Sequence, residues 1–179
     1  MKTFFSKMRG SAQLPPRMAT REIAYALIGC LIGIGVCGYL SSRFFESRDL
    51  TLMIGSMGAS AVLVYGAIKS PFAQPRNLIG GHIISGLVGV TCFYGLSGNV
   101  LLASAVAVSF ATAAMALTRT VHPPGGATAL IAVIGGEKIH HLGFLYPLVP
   151  AGAGALVLLI IGLIVNNIPG DRRYPEYWW

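Results

Sequence analysis

His122-Pro123-Pro124-Gly125-Gly126-Ala127-Thr128-Ala129-Leu130-Ile131-Ala132-Val133-Ile134-Gly135-Gly136 is the stretch that decides how this chain is read. From Pro123 to Val133 it carries no charge and suits a bilayer, yet it opens on residues ill-suited to regular helix. Two prolines remove two backbone donors, and two glycines accept almost any backbone path. In hydrocarbon, irregular backbone is tolerated only where protein buries it or a cavity runs past it. The stretch is therefore expected to mark a place where something crosses or binds.

The rest of the chain agrees with a membrane setting. Of 179 residues, 54% are apolar and only 11% charged, against roughly 25% charged in soluble domains. Twenty-three glycines accompany long apolar runs, the pattern of membrane helices that approach one another closely. The net charge of +7 does not form a nucleic-acid patch, because Lys2, Lys7, Arg9, Arg17 and Arg21 all precede the first apolar run. Cations so placed mark the cytoplasmic side of a membrane protein. The first apolar run reaches Leu40, long enough to stay in the membrane rather than be cleaved as a leader. Cys30, Cys37 and Cys92 lie inside apolar runs and have no metal-ligand spacing, so they read as packing residues.

Residues 1–21 form a basic arm, 22–168 a membrane domain, and 169–179 an aromatic tail expected to anchor at lipid headgroups. Apolar runs fall at 23–40, 51–68, 78–97, 100–118, 127–135 and 144–166. Five are long enough to span a core that needs about 17–25 residues; the run at 127–135 is short. Six crossings from a cytosolic N-terminus put ten cations inside and three outside, whereas five crossings give nine and four. Both satisfy the positive-inside rule, so an all-α polytopic protein with five to six membrane segments is expected, in a cell inner (plasma) membrane.

An internal repeat favours six. Gly58-Ala59-Ser60-Ala61-Val62-Leu63 matches Gly126-Ala127-Thr128-Ala129-Leu130-Ile131 at an offset of 68 residues. Each opens a short run between two long ones, a three-plus-three arrangement whose second half inserts upside down. Inverted repeats with interrupted helices point to a transporter site near the midplane. If both short runs are half-helices starting at Gly58 and Gly126, their N-termini can face one another. Free N–H groups and the helix dipoles would then hold a small anion without a buried Lys or Arg.

The candidate binding residues are Ser56, Gly58, Ala59, Ser60, His82, His122, Pro123, Pro124, Gly125, Gly126, Ala127 and Thr128. The glycines let backbone approach a ligand, while Ser56, Ser60 and Thr128 offer hydroxyls. His122 heads the interrupted segment and can donate to an anion or relay a proton. His82 follows Gly80-Gly81 and can face the same cavity. Every carboxylate lies at a segment end, so a cation site or two-carboxylate catalysis lacks material. With no nucleophile–base pair, metal set or cofactor motif, the chain is expected to be no enzyme and to need no cofactor.

Several motifs in order carry a family resemblance. Gly55-Ser56-Met57-Gly58-Ala59-Ser60-Ala61-Val62-Leu63, Ser70-Pro71-Phe72-Ala73-Gln74-Pro75-Arg76-Asn77, Gly80-Gly81-His82, His122-Pro123-Pro124-Gly125-Gly126-Ala127 and Tyr174-Pro175-Glu176-Tyr177-Trp178 closely resemble the HPP family of integral membrane proteins. The resemblance covers residues 22–178 and implies four membrane helices, fewer than the apolar runs suggest. It also implies nitrite transport, with which family members of cyanobacteria and plant chloroplasts are associated. The expected partners are a small inorganic anion and the lipid bilayer, without nucleic acid, and a homo-oligomer is compatible with this. The competing expectation is a membrane-embedded structural or partner-binding subunit whose Pro-Gly breaks serve helix packing.

Overall fold

The computed structural model describes residues 2–9, 13–45, 52–96 and 98–179. Arg48, counted among the outer cations, lies outside them, as does Ser97. The described residues form eight α-helices with short 3-10 and π turns and no strand. Helix α1 is Lys2–Lys7, and α2 is Thr20–Leu40, continued by a π turn to Phe45. Helix α3 is Gly55–Ala61 with a π turn to Gly66, and α4 is Pro75–Gly95. Then follow α5 (Val100–Leu117), α6 (Pro123–Ile134), α7 (Glu137–Leu142) and α8 (Ala153–Val165).

Four helical segments are long and apolar enough to cross a membrane: Thr20–Phe44, Pro75–Gly95, Val100–Leu117 and Pro147–Val165. The apolar run at 51–68, counted as a span from sequence, holds only the short α3 and its π turn. Helix α6, at 12 residues, is likewise short. Among the described residues, four spanning helices agree with the four-helix expectation, while the expected five to six membrane segments are not found; α3 and α6 stand between the long helices as short ones. Leu27, Leu31, Leu101, Phe110, Leu117 and Ile164 all point outward, an apolar exterior that suits lipid. The protein is a multi-pass membrane protein.

Small residues set how closely the helices approach. Helix α2 buries Gly29, Gly33 and Cys37, a stripe in steps of four that receives the Tyr65 ring. Helix α5 buries Ala103, Ala107, Ala111 and Met115 in the same step. On α4 the stripe is Gly81, Ser85 and Gly89, and at Gly89 the backbone meets Ala129 of α6. Such spacing lets backbones touch where lipid offers no hydrophobic drive between helices. The helices end where backbone chemistry stops them. Asn99 caps the start of α5 by accepting from Leu102 N at 3.0 Å, and Arg119, with φ 56°, closes its end. The apolar run at 144–166, read as one segment, is broken near its start, where Val149 leaves helical geometry beside Pro150.

Helix α4 packs against both α5 and α6, and α5 against α6; α2 packs against α8 and α3, and α3 against α6. One face of the molecule gathers chain from distant places. Arg21 pairs with Asp171, Arg76 Nη2 donates to Thr118 O at 2.9 Å, and Asn77 Nδ2 donates to Val121 O at 2.8 Å. The start of α2, the 66–76 link, the α5–α6 link and the end of α8 therefore share that face. The aromatic tail folds back there. Tyr174 is buried and donates to Ala73 O at 2.7 Å, while Glu176 N donates to Gln74 Oε1 at 2.9 Å. Tyr177, Trp178 and Trp179 are exposed, as headgroup anchors would be. Most of the tail is a clasp on the 71–74 turn.

Candidate functional site

The clasp matters because the 71–74 turn supplies one end of a buried polar chain. Ser70 caps the Pro71–Ala73 turn, accepting from Phe72 N at 3.2 Å, and Gln74 Nε2 donates to Ile68 O and Ser70 O, both at 2.8 Å. Phe72 O, so fixed, lies 2.7 Å from His122 Nδ1. His122 Nε2 lies 2.8 Å from Ser60 Oγ, which also lies 2.8 Å from His82 Nε2. His82 Nδ1 lies 2.7 Å from Thr128 Oγ1, and Thr128 Oγ1 lies 2.9 Å from Ser56 Oγ. Ser56, Ser60, His82, His122 and Thr128 all have 0% exposure, at the meeting of α3, α4 and α6.

One carbonyl and one hydroxyl bond set both ring tautomers. Phe72 O can only accept, so His122 Nδ1 carries a proton. With both imidazoles neutral, His122 Nε2 is then an acceptor facing the Ser60 hydroxyl. Thr128 donates its one hydroxyl proton to Ser56 Oγ, so it accepts from His82 Nδ1, which leaves His82 Nε2 a second acceptor on Ser60. Ser60 has one hydroxyl proton to offer these two nitrogens. The contacts from Ser60 Oγ to Ser56 O (3.0 Å) and from Thr128 Oγ1 to Pro124 O (3.3 Å) are secondary branches.

Five of the twelve residues singled out from sequence thus converge as a side-chain cluster. Pro124 and Gly125 are buried beside it, and a Cβ on Gly125 would stand 2.7 Å from Ser85 Oγ and 3.0 Å from Gly81 O. Gly58, Ala59, Pro123 and Ala127 are exposed, Gly126 is half-buried, and all five face away from the cluster. Neither Gly58 nor Gly126 meets anything closer than 3.9 Å at a built Cβ.

The expected facing of two half-helix N-termini is not what the structure contains. Helices α3 and α6 begin at Gly55 and Pro123, not at Gly58 and Gly126; at α6 the reason is that proline is well suited to a first helical turn. They lie side by side and antiparallel. Ser56 at the start of α3 meets Thr128 well inside α6, and His122 at the start of α6 meets Ser60 well inside α3. Nor does α6 offer an anion its backbone. Pro123 and Pro124 have no N–H, and Gly125 N is already bonded to His122 O at 2.7 Å. Recognition in this site falls to side chains.

Three participants escaped the sequence reading. Phe72 takes part only through its carbonyl, which no residue type announces. Tyr146 donates to Thr128 O at 2.9 Å from beyond α7. Ser85 is fully buried with an unpartnered hydroxyl, and its signal was present: it stands one turn from His82 on the Gly81–Gly89 stripe. His140 is placed apart, with Nε2 2.9 Å from Val133 O and its ring stacked on Phe93.

A family model described as the HPP transmembrane region matches residues 15–175. Two transmembrane proteins of Dictyostelium discoideum are also similar. One is 42% identical over 179 residues, covering 98% of this chain and 57% of its own length. The other is 41% identical over 181 residues, covering 98% of this chain and 63% of its own length. The chain thus spans less than two thirds of either relative. No solved structure matches it.

Proposed function

The chain belongs to the HPP transmembrane family, and from that premise we propose that it is a membrane transporter or channel for nitrite or a similar small monovalent anion. The observation that carries this reading is the buried imidazole–hydroxyl cluster with the unpartnered Ser85 hydroxyl beside it. Polar groups at membrane depth are costly and mark pathways, and this cluster lies where two short helices interrupt the fold. The nitrite association implied by the family resemblance points the same way.

In this reading the structure is a closed state in which the binding groups satisfy one another. An arriving anion draws the hydroxyls of Ser60, Thr128 and Ser85. Exchanging one set of hydrogen bonds for another keeps the net cost of opening small. Flux in proteoliposomes tests it with nitrite, nitrate, formate and chloride. The parent should move at least one of these anions. His122→Ala should lower that flux about tenfold or more, the effect of roughly 1.4 kcal/mol. No flux above empty liposomes would reject transport.

The fold further supports an inverted repeat of α2–α3–α4 and α5–α6–α8. In each half the first helix packs on the short second one and on the third helix of the other half. Each third segment opens on proline after a 3-10 turn. Ser60 and Thr128, 68 residues apart, both reach a carbonyl four residues back. With the cation-rich face cytosolic, Gln13→Cys and Lys69→Cys should label from inside, and Gly98→Cys and Lys138→Cys from outside, in a cysteine-free background. Labelling of Gly98→Cys from the same side as Lys69→Cys would rule out the inverted arrangement.

A second reading draws on the dryness of the cluster. A fully buried hydrogen-bonded network also suits a membrane-embedded structural or partner-binding subunit, in which it locks α3 to α4 and α6. Absence of flux in a well-folded protein would favour it.

A further inference from the structure

The geometry points to a second anion site, a pocket for a phosphate-type group on the cation-rich face, separate from the histidine cluster and independent of the transport reading. The pocket has a volume of about 710 Å³ and lies between the start of α2, the 66–70 link and Arg172. Its walls carry four cations, Arg17, Arg21, Lys69 and Arg172, against two carboxylates, Glu22 and Asp171. Arg21 takes Asp171. Among the described residues, neither Arg17 nor Lys69 has a carboxylate partner, so the wall keeps an excess of positive charge.

Arg172 makes this more than a solvated basic rim. Its side chain is only 3% exposed. Nη2 donates to Tyr65 O at 3.1 Å, and the guanidinium lies 5.3 Å from the Tyr25 ring centroid. Nε is 3.6 Å from Glu22 Oε2, too far for a hydrogen bond. Nε and Nη1 are buried with no hydrogen-bond partner. A buried guanidinium with two nitrogens unsatisfied is costly, and an oxyanion is the chemistry that would complete it. The volume far exceeds what nitrite or chloride needs and suits a phosphate ester with its substituent. The pocket sits at the end of the α2 span, at the level where lipid headgroups lie. The shared chemistry is a phosphate held by Arg172, Arg17 and Lys69, whether a lipid headgroup or a soluble phosphate delivers it.

Thermal unfolding of the full chain in a neutral detergent distinguishes the sources. The probes are inorganic phosphate and short-chain phosphatidylglycerol, each compared with chloride at equal ionic strength. A saturating ligand should raise the midpoint by about 5 °C, and the rise should vanish in Arg17→Gln/Lys69→Gln, which removes only solvated charges. A rise with phosphatidylglycerol alone assigns a lipid headgroup; a rise with inorganic phosphate as well assigns a soluble phosphate. No rise with either probe, or a rise that survives the double substitution, overturns the proposal.

Discussion

Ser60→Ala is expected to be among the most damaging single-atom deletions in this protein. The hydroxyl it removes is the one partner shared by His82 Nε2 and His122 Nε2, each 2.8 Å away. Its loss leaves one buried ring nitrogen of each histidine without its partner, each at a cost of about 1–3 kcal/mol. Unfolding in detergent should shift well below the parent midpoint, and anion flux should fall with it. Ser60→Thr keeps the hydroxyl and should retain most of both. An alanine variant that melts with the parent would mean that the cluster does not hold α3, α4 and α6 together. If it melted early yet kept full flux, the anion path would lie elsewhere.

Gly89→Val tests the helix contact that supports the site. A Cβ at Gly89 would stand 2.5 Å from Ala129 O, 2.8 Å from Ala129 Cα and 2.7 Å from Ala132 Cβ. Two of these are backbone atoms, so no rotamer relieves the clash and α4 must part from α6. Overpacking of this kind costs about 1–3 kcal/mol or more, and Thr128, one residue before Ala129, would be drawn away from His82. Gly58→Val is the matched control, since nothing lies within 4 Å of its built Cβ. The first variant should be poorly recovered by size-exclusion chromatography and the second recovered normally. Equal recovery would show that the α4–α6 approach is softer than its geometry.

The helical membrane fold was legible because its signals are local. Long uncharged runs can span lipid, and Ser60, His82, His122 and Thr128 stood out as polar residues inside or beside them. What could not be read was which side chains would meet. His82 and His122 are 40 residues apart in sequence, and only the packing of both α3 and α4 against α6 brings the two rings to Ser60. The helix starts were misplaced because Pro123-Pro124 was read as a break, although a first turn needs no proline N–H. Gly58 and Gly126 drew attention through a real sequence match but point outward. A repeat records shared ancestry of shape and does not say which face of a helix is buried. The tail's Tyr174 carries the same aromatic signal as Trp178, and only packing separates clasp from anchor.

The two prolines that open α6 also bear on movement. When an ordinary helix shifts its first turn in hydrocarbon, it drags unpaired amide protons through a medium that cannot solvate them. Helix α6 begins with residues that have no such protons. Were His122 to part from Phe72 and carry the start of the helix with it, no amide would be stranded at Pro123 or Pro124. The same residues that deny a ligand the end of the helix also make that end its best-lubricated part.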